Sequence, residues 1–202
     1  MTTALLQTTY FGPVQWYQKL FRYDHCLIEQ YDSFQKQTYR NRCVIATANG
    51  VQALTVPVEH SDEKMLTKDL RISDHNQWRR VHWNALQSAY SESPFFEYYA
   101  DDLHPFFEQK YTFLVDFNEN IRQKICELID IQPSVSYTSD FRHQPSDITD
   151  FRNIIHAKHP QPDPNFEPKA YWQVFQHKHG FLPNLSILDL LFCMGPESIF
   201  YL

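Results

Sequence analysis

Apolar residues change their spacing three times along this chain, and each change predicts a different kind of element. The run Leu5-Leu6-Gln7-Thr8-Thr9-Tyr10-Phe11 reads as a strand, and Gly12-Pro13 then turns the chain, with Pro13 suited to a first helical position. Tyr17, Leu20 and Phe21 recur at helical spacing and predict a helix over 14–22. Cys26-Leu27-Ile28-Glu29 is a short second strand. Two further apolar runs, 43–47 and 51–56, flank Asn49-Gly50, a pair that supplies the positive-φ residues of a type I′ hairpin turn. Pro57 cannot donate to a ladder and marks the end of the second run or an edge.

In the middle third the period becomes helical. Asp74 and Gln77 have the spacing of a reciprocal cap, and Trp78, Val81, Ala85 and Ala89 mark an inward face behind them. Phe117, Ile121, Ile125 and Leu128 predict a second helix within 112–130. Between the two, Phe95-Phe96-Glu97-Tyr98-Tyr99 and Pro105-Phe106-Phe107 predict one kinked helix whose aromatics pack the core. From Ile131 to Pro168 periodicity disappears and half of the 12 prolines gather, as expected of a long functional loop or flap over a site. Order returns at 171–175 and in a terminal helix, Ser186–Phe192, with Gly195 at a left-handed cap and Pro196 opening a last turn. This order of elements predicts an α/β (or α+β) chain, residues 1–202 in one domain, with a small mixed β-sheet, flanking helices and a long Pro-rich loop.

Composition narrows the function. With 43% hydrophobic and 16% aromatic residues in 202, the chain has ample material for a core. Its four glycines, at 12, 50, 180 and 195, are never spaced as a phosphate-cradling loop requires, which removes the Walker and dinucleotide motifs. A net charge of −6 repels polyphosphate, so general nucleic-acid binding is not expected. The first residues lack the pattern of a secretory signal and no run is long enough to span a bilayer, so a cytoplasmic location without membrane insertion is expected. Cys26, Cys43, Cys126 and Cys193 are scattered and read as reduced core thiols.

Against that acidic background the segment 31–42 concentrates cations and aromatics: Lys36, Arg40, Asn41 and Arg42 with Tyr31, Phe34 and Tyr39, beside Asp32. Guanidinium forks and an ammonium hold carboxylate or phosphate oxygens, and a ring offers a stacking face. If Arg42 opens a strand, Arg40 shares its side of the pleat and Asn41 faces away, so the three cannot all grip one group. His82, one turn after Trp78, sits beside the buried stripe and is the leading acid–base candidate, with Asp32 as the second catalytic candidate. A core histidine satisfied by a backbone carbonyl is the competing reading. Asp189 reads as the carboxylate of a capping box with Ser186. His156-x-x-His159 and His177-x-His179 lack an accompanying ligand pattern, so no metal is assigned, and no cofactor is specified.

Several separated segments resemble the WbqC-like family of bacterial proteins. Gln7-Thr8-Thr9-Tyr10-Phe11-Gly12-Pro13 followed by Trp16-Tyr17 is similar to its first signature, with Thr8 and Gly12 where the family more often has proline. Lys36-Gln37-Thr38-Tyr39-Arg40-Asn41-Arg42 is similar to its second, and 54–58, 78–83, 93–99 and 186–197 also look like family segments. The resemblance implies the α/β fold and an association with surface-polysaccharide gene clusters, and it adds Gln7 and Tyr10 to the candidate substrate-binding residues. Together with the residues it implies a transferase-like enzyme of polysaccharide or envelope precursors. Lys36, Arg40 and Arg42 would hold an anionic donor, a nucleotide sugar or acyl donor, while Tyr39 and Asn41 orient the acceptor. The alternative is a non-catalytic binding or assembly protein docking through Tyr98, Tyr99, Phe106 and Phe107.

Overall fold

The computed structural model describes residues 2–59, 65–143 and 147–202. Strand β1 (Thr3–Gln7), helix α1 (Val14–Arg22) and strand β2 (His25–Glu29) form a β-α-β unit in which Thr3 faces His25 and Gln7 faces Glu29 in parallel register. Two parallel strands need such a crossover, and α1 supplies it. The predicted first strand is shifted: pairing ends at Gln7, and 8–13 become a loop closed by backbone bonds to the distant chain. Trp16, Tyr17 and Leu20 are buried on α1, whereas Phe21, predicted on the same stripe, is exposed. Pro13 caps α1 from outside its first turn instead of occupying it.

Arg42–Thr47 (β3) and Gly50–Thr55 (β4) form the expected hairpin, ending before Pro57. Its turn differs from the type I′ expectation. Ala48 and Asn49 are the central residues, and the positive φ, 108°, falls on Gly50 alone, the first residue of β4 and the partner of Thr47, instead of on the two central positions that a type I′ turn requires.

Helix α2 (Trp78–Tyr90) buries Trp78, His82, Leu86 and Ala89, a face rotated from the predicted one, with Val81 exposed. The Asp74 cap is not made; its carboxylate holds Arg79 and Lys110 instead. Helix α3 (Phe96–Leu103) runs directly into a 3-10 turn over His104–Phe107, the kinked aromatic helix read from the sequence. Tyr99, Phe106 and Phe107 are buried there and only Tyr98 is exposed, at 73%. The four-ring docking surface of the alternative reading is therefore mostly core: Phe107 stacks on Phe11, and Phe106 meets Phe117 edge-on.

Helix α4 (Leu114–Leu128) packs Phe117, Ile121 and Ile125 inward as predicted. The irregular segment that follows contributes two short strands, β5 (Val135–Tyr137) and β6 (Thr149–Asp150), with 144–146 outside the described residues. These complete a four-stranded sheet in the order β5-β2-β1-β6, parallel throughout. The α/β class stands, and the parallel and antiparallel pairings expected in one mixed sheet are divided between two sheets.

Helix α5 (Gln176–His179) is one turn, and α6 (Ile187–Met194) is capped by Ser186 through the Leu188 amide. All four cysteines are free and buried. Gly195, at φ 54°, ends α6 with Phe95 so close that an added Cβ would lie 2.6 Å from its ring. Gly195→Ala is expected to lower stability by about 1–3 kcal/mol through backbone strain alone, measured as a lowered urea midpoint. Among the described residues no helix is long and apolar enough to cross a membrane.

Candidate functional site

Because all four strands are parallel, Gln7, Glu29, Tyr137 and Asp150 end at one edge of the sheet. The chain passes from β1 to β2 and β5 on one side, then returns with β6 on the other. Open α/β sheets bind ligands outside the carboxyl ends of strands at such a reversal. Here that edge carries buried charge.

Glu29, the last residue of β2, is fully buried and accepts from the Tyr31 amide at 2.8 Å, Thr138 Oγ1 at 2.9 Å and Arg152 Nη1 at 3.0 Å. Arg152 forks onto Asp150 with its remaining nitrogens, Nη2 to Oδ2 at 2.6 Å and Nε to Oδ1 at 3.0 Å. Burial opposes the charge on Arg152, but the Asp150 bonds and the nearby carboxylates outweigh it and raise its pKa. Three residues past β2, Asp32 pairs directly with Arg40 and accepts from Thr67 Oγ1. Asn118 on α4 donates to the Arg40 carbonyl at 2.8 Å and to Thr8 Oγ1 at 3.1 Å, locking the loop over the end of β1. Asp32, Ser33, Gln35, Arg40, Phe141, Arg152 and Asn153 line a cavity of about 310 Å³.

The cations of segment 31–42 do not converge. Lys36 and Arg42 line a different cavity of about 340 Å³, beside the open end of the β3–β4 hairpin. Asn41, Gln37 and Thr55 share its wall, with Phe34 and Val56 on the apolar side. No carboxylate lines it, and neither Lys36 nor Arg42 forms an ion pair among the described residues. Arg42 Nε donates to Thr55 Oγ1 at 3.2 Å, and Asn41 Nδ2 to the Val56 carbonyl at 2.8 Å. The pleat expectation is reversed: Asn41 shares the cavity with Arg42, and Arg40, which precedes the first paired residue of β3 and so lies outside its alternation, pairs with Asp32 in the other.

The other sequence candidates are placed inside the core. His82 is 4% exposed, its Nδ1 2.9 Å from Tyr10 Oη, and burial pulls its pKa down to about 4 although a bond to the Thr55 backbone partly opposes this. Neither His82 nor Tyr10 lines either cavity. Tyr39 is buried, its phenol pushed up to about 12 by desolvation, and its carbonyl accepts from the Tyr10 amide. Gln7 is a tether: its Nε2 donates to the Ile155 carbonyl at 2.6 Å and draws the chain after β6 across the sheet edge.

Asp189 does not reach back to complete a capping box. Its carboxylate accepts from Tyr171 at 2.7 Å, Tyr90 at 2.8 Å and Gln173 at 2.8 Å, while burial pushes its pKa up. His179 bonds the Thr47 carbonyl at 3.1 Å, away from the His156–His159 pair.

Glu29, Phe141, Arg152 and Asn153 escaped the sequence reading. Glu29 had a signal, an acid closing an apolar strand at the ligand-gathering end. Arg152 and Asn153 had none, because they follow a two-residue strand inside an aperiodic segment.

Across 98% of its length the chain is 27% identical to the uncharacterized protein Rv1507c of Mycobacterium tuberculosis, covering 96% of that protein. No solved structure matches it. The family model of the WbqC-like proteins matches residues 7–162, a span that opens with the Gln7 tether and encloses both cavities: the chain belongs to the WbqC-like protein family.

Proposed function

We propose that the protein is a transferase-like enzyme of surface-polysaccharide or envelope precursors, whose anionic donor, a nucleotide sugar or an acyl donor, is held by Lys36 and Arg42. The observation that carries this reading is the wall that, among the described residues, has two cations and no carboxylate, in a protein of net charge −6. An anion entering there meets charge that no carboxylate among the described residues matches, with Phe34 and Val56 against the apolar part of the molecule. Arg40 is committed to Asp32, so in this reading the pair belongs to the acceptor side, with Asp32 proposed as the proton acceptor.

Uridine diphosphate, a uridine diphosphate sugar and an acyl coenzyme A serve as probes in thermal-shift and calorimetric titrations. At least one should raise the melting temperature. Lys36→Ala and Arg42→Ala should each weaken its binding by about 1.5–3 kcal/mol, the range of a hydrogen bond to a charged group. Arg42→Lys should recover part of the loss, since it keeps charge without the fork. No shift with any probe, or unchanged affinity in both alanine variants, would remove the anionic-donor reading.

A further inference from the structure

We infer that the cavity at the sheet edge, lined by Asp32, Arg40, Arg152 and Phe141, is a binding site for one uncharged pyranose ring. The inference deepens the reading above by naming its acceptor as a sugar, and its test separates the two. Charge is the first argument. Arg40 is matched by Asp32, and Arg152 by Asp150 and Glu29, so an anion would have to displace a carboxylate that is already bonded. A neutral polyol makes no such demand. Its hydroxyls each donate one hydrogen and accept others, and they need donors and acceptors held at fixed spacing. Paired guanidinium and carboxylate groups supply both.

The second argument is the composition of the wall. Asp32 accepts, Arg40 and Arg152 donate, and the side-chain amides of Gln35 and Asn153 and the hydroxyl of Ser33 do both. Among the described residues the buried Nε of Arg40 has no hydrogen-bond partner. Phe141, 41% exposed, adds an aromatic ring that carries the Arg152 guanidinium over one face, 5.2 Å from its centroid, so a sugar would use the other. A ring of this kind packs against the C–H face of a sugar while the polar groups take its hydroxyls.

Size is the third. At about 310 Å³ the cavity is near the lower bound of small-molecule sites, about 300–1,000 Å³, which suits a single ring better than an oligosaccharide. Rigidity is the fourth. Asp32 and Arg40 are fixed by Thr67 and Asn118, and Arg152 by two carboxylates, so little side-chain order remains to be imposed when the ligand binds.

Saturation-transfer NMR on the full chain tests the site with methyl glucopyranoside, methyl galactopyranoside and N-acetylglucosamine. Saturation should reach the ring C–H protons of at least one of them. Phe141→Ala and Asn153→Ala should weaken that sugar's binding by about tenfold each, equivalent to about 1.4 kcal/mol. Lys36→Ala should leave it unchanged, as should raising the salt, because the ligand carries no charge. No transfer to any of the three sugars, or equal transfer in wild type, Phe141→Ala and Asn153→Ala, would overturn the assignment. Sugar binding without binding of any anionic probe would sink the donor reading and leave this site standing. Binding of uridine diphosphate without any sugar would do the reverse.

Discussion

Asp163→Ala is expected to lose about 3–5 kcal/mol of stability at neutral pH, because it leaves a buried cation without its partner. Lys19 Nζ lies 2.6 Å from Asp163 Oδ2, with the two side chains 1% and 4% exposed. Burial lowers the Lys19 pKa and the Asp163 contacts resist that shift, so the pair holds its charge mainly through its own contact. Gln15 also donates to Asp163 at 2.9 Å. With the carboxylate gone, Lys19 keeps, among the described residues, the faces of the Phe151 and Phe166 rings, 4.7 and 6.0 Å from its Nζ, as electrostatic partners.

The consequence should extend beyond stability. The pair anchors the chain between β6 and residue 163 onto α1, and that stretch carries Arg152 and Asn153 into the sheet-edge cavity. Urea unfolding reads the first effect, and amide exchange across 151–163 reads the second. A Lys19→Met/Asp163→Leu protein should recover most of the stability, since an apolar pair of similar size replaces the ions. A loss below about 1 kcal/mol in Asp163→Ala would show that the ion pair does not anchor this stretch.

The second large effect is on pH. His82 has a folded-state pKa of about 4 against about 6.5 for a free imidazole, so the unfolded chain binds the proton more tightly. Its contribution to stability is therefore complete above pH 6.5 and is lost as the pH falls toward 4. At about 1.4 kcal/mol per pH unit the loss approaches 3 kcal/mol.

His82→Gln should remove this slope, because an amide can keep the bond to Tyr10 and does not titrate. The measurement is the difference between wild-type and variant unfolding free energies at several pH values from 7 to 4. Parallel curves would show that His82 is protonated equally well in the folded protein. Probe binding at both cavities should be unchanged in folded His82→Gln, since His82 lines neither. A folded variant whose turnover falls by about 100-fold or more would instead restore His82 as the proton shuttle.

From the sequence by itself came the elements whose signal is local. Helix α1 over 14–22, the hairpin around Asn49-Gly50, α4 with Phe117, Ile121 and Ile125 inward, and α6 with its Ser186 cap were all legible, because side-chain period and turn chemistry act over a few residues. So was the cationic segment 31–42, since charge density is visible in one dimension. Long-range partnership was decided by the tertiary structure alone. Strands β5 and β6, three and two residues long, have no periodicity of their own and exist because β2 and β1 present unpaired edges to them. Glu29 meets Arg152 across 123 residues, and no local pattern records that pairing. The division of Lys36 and Arg42 from Arg40 turned on where β3 begins to pair and on which carboxylate Arg40 could reach. His82 and Asp189 followed the same rule: a polar side chain inside an apolar stripe is satisfied by whatever partner the packing brings, here Tyr10 for one and Tyr90, Tyr171 and Gln173 for the other.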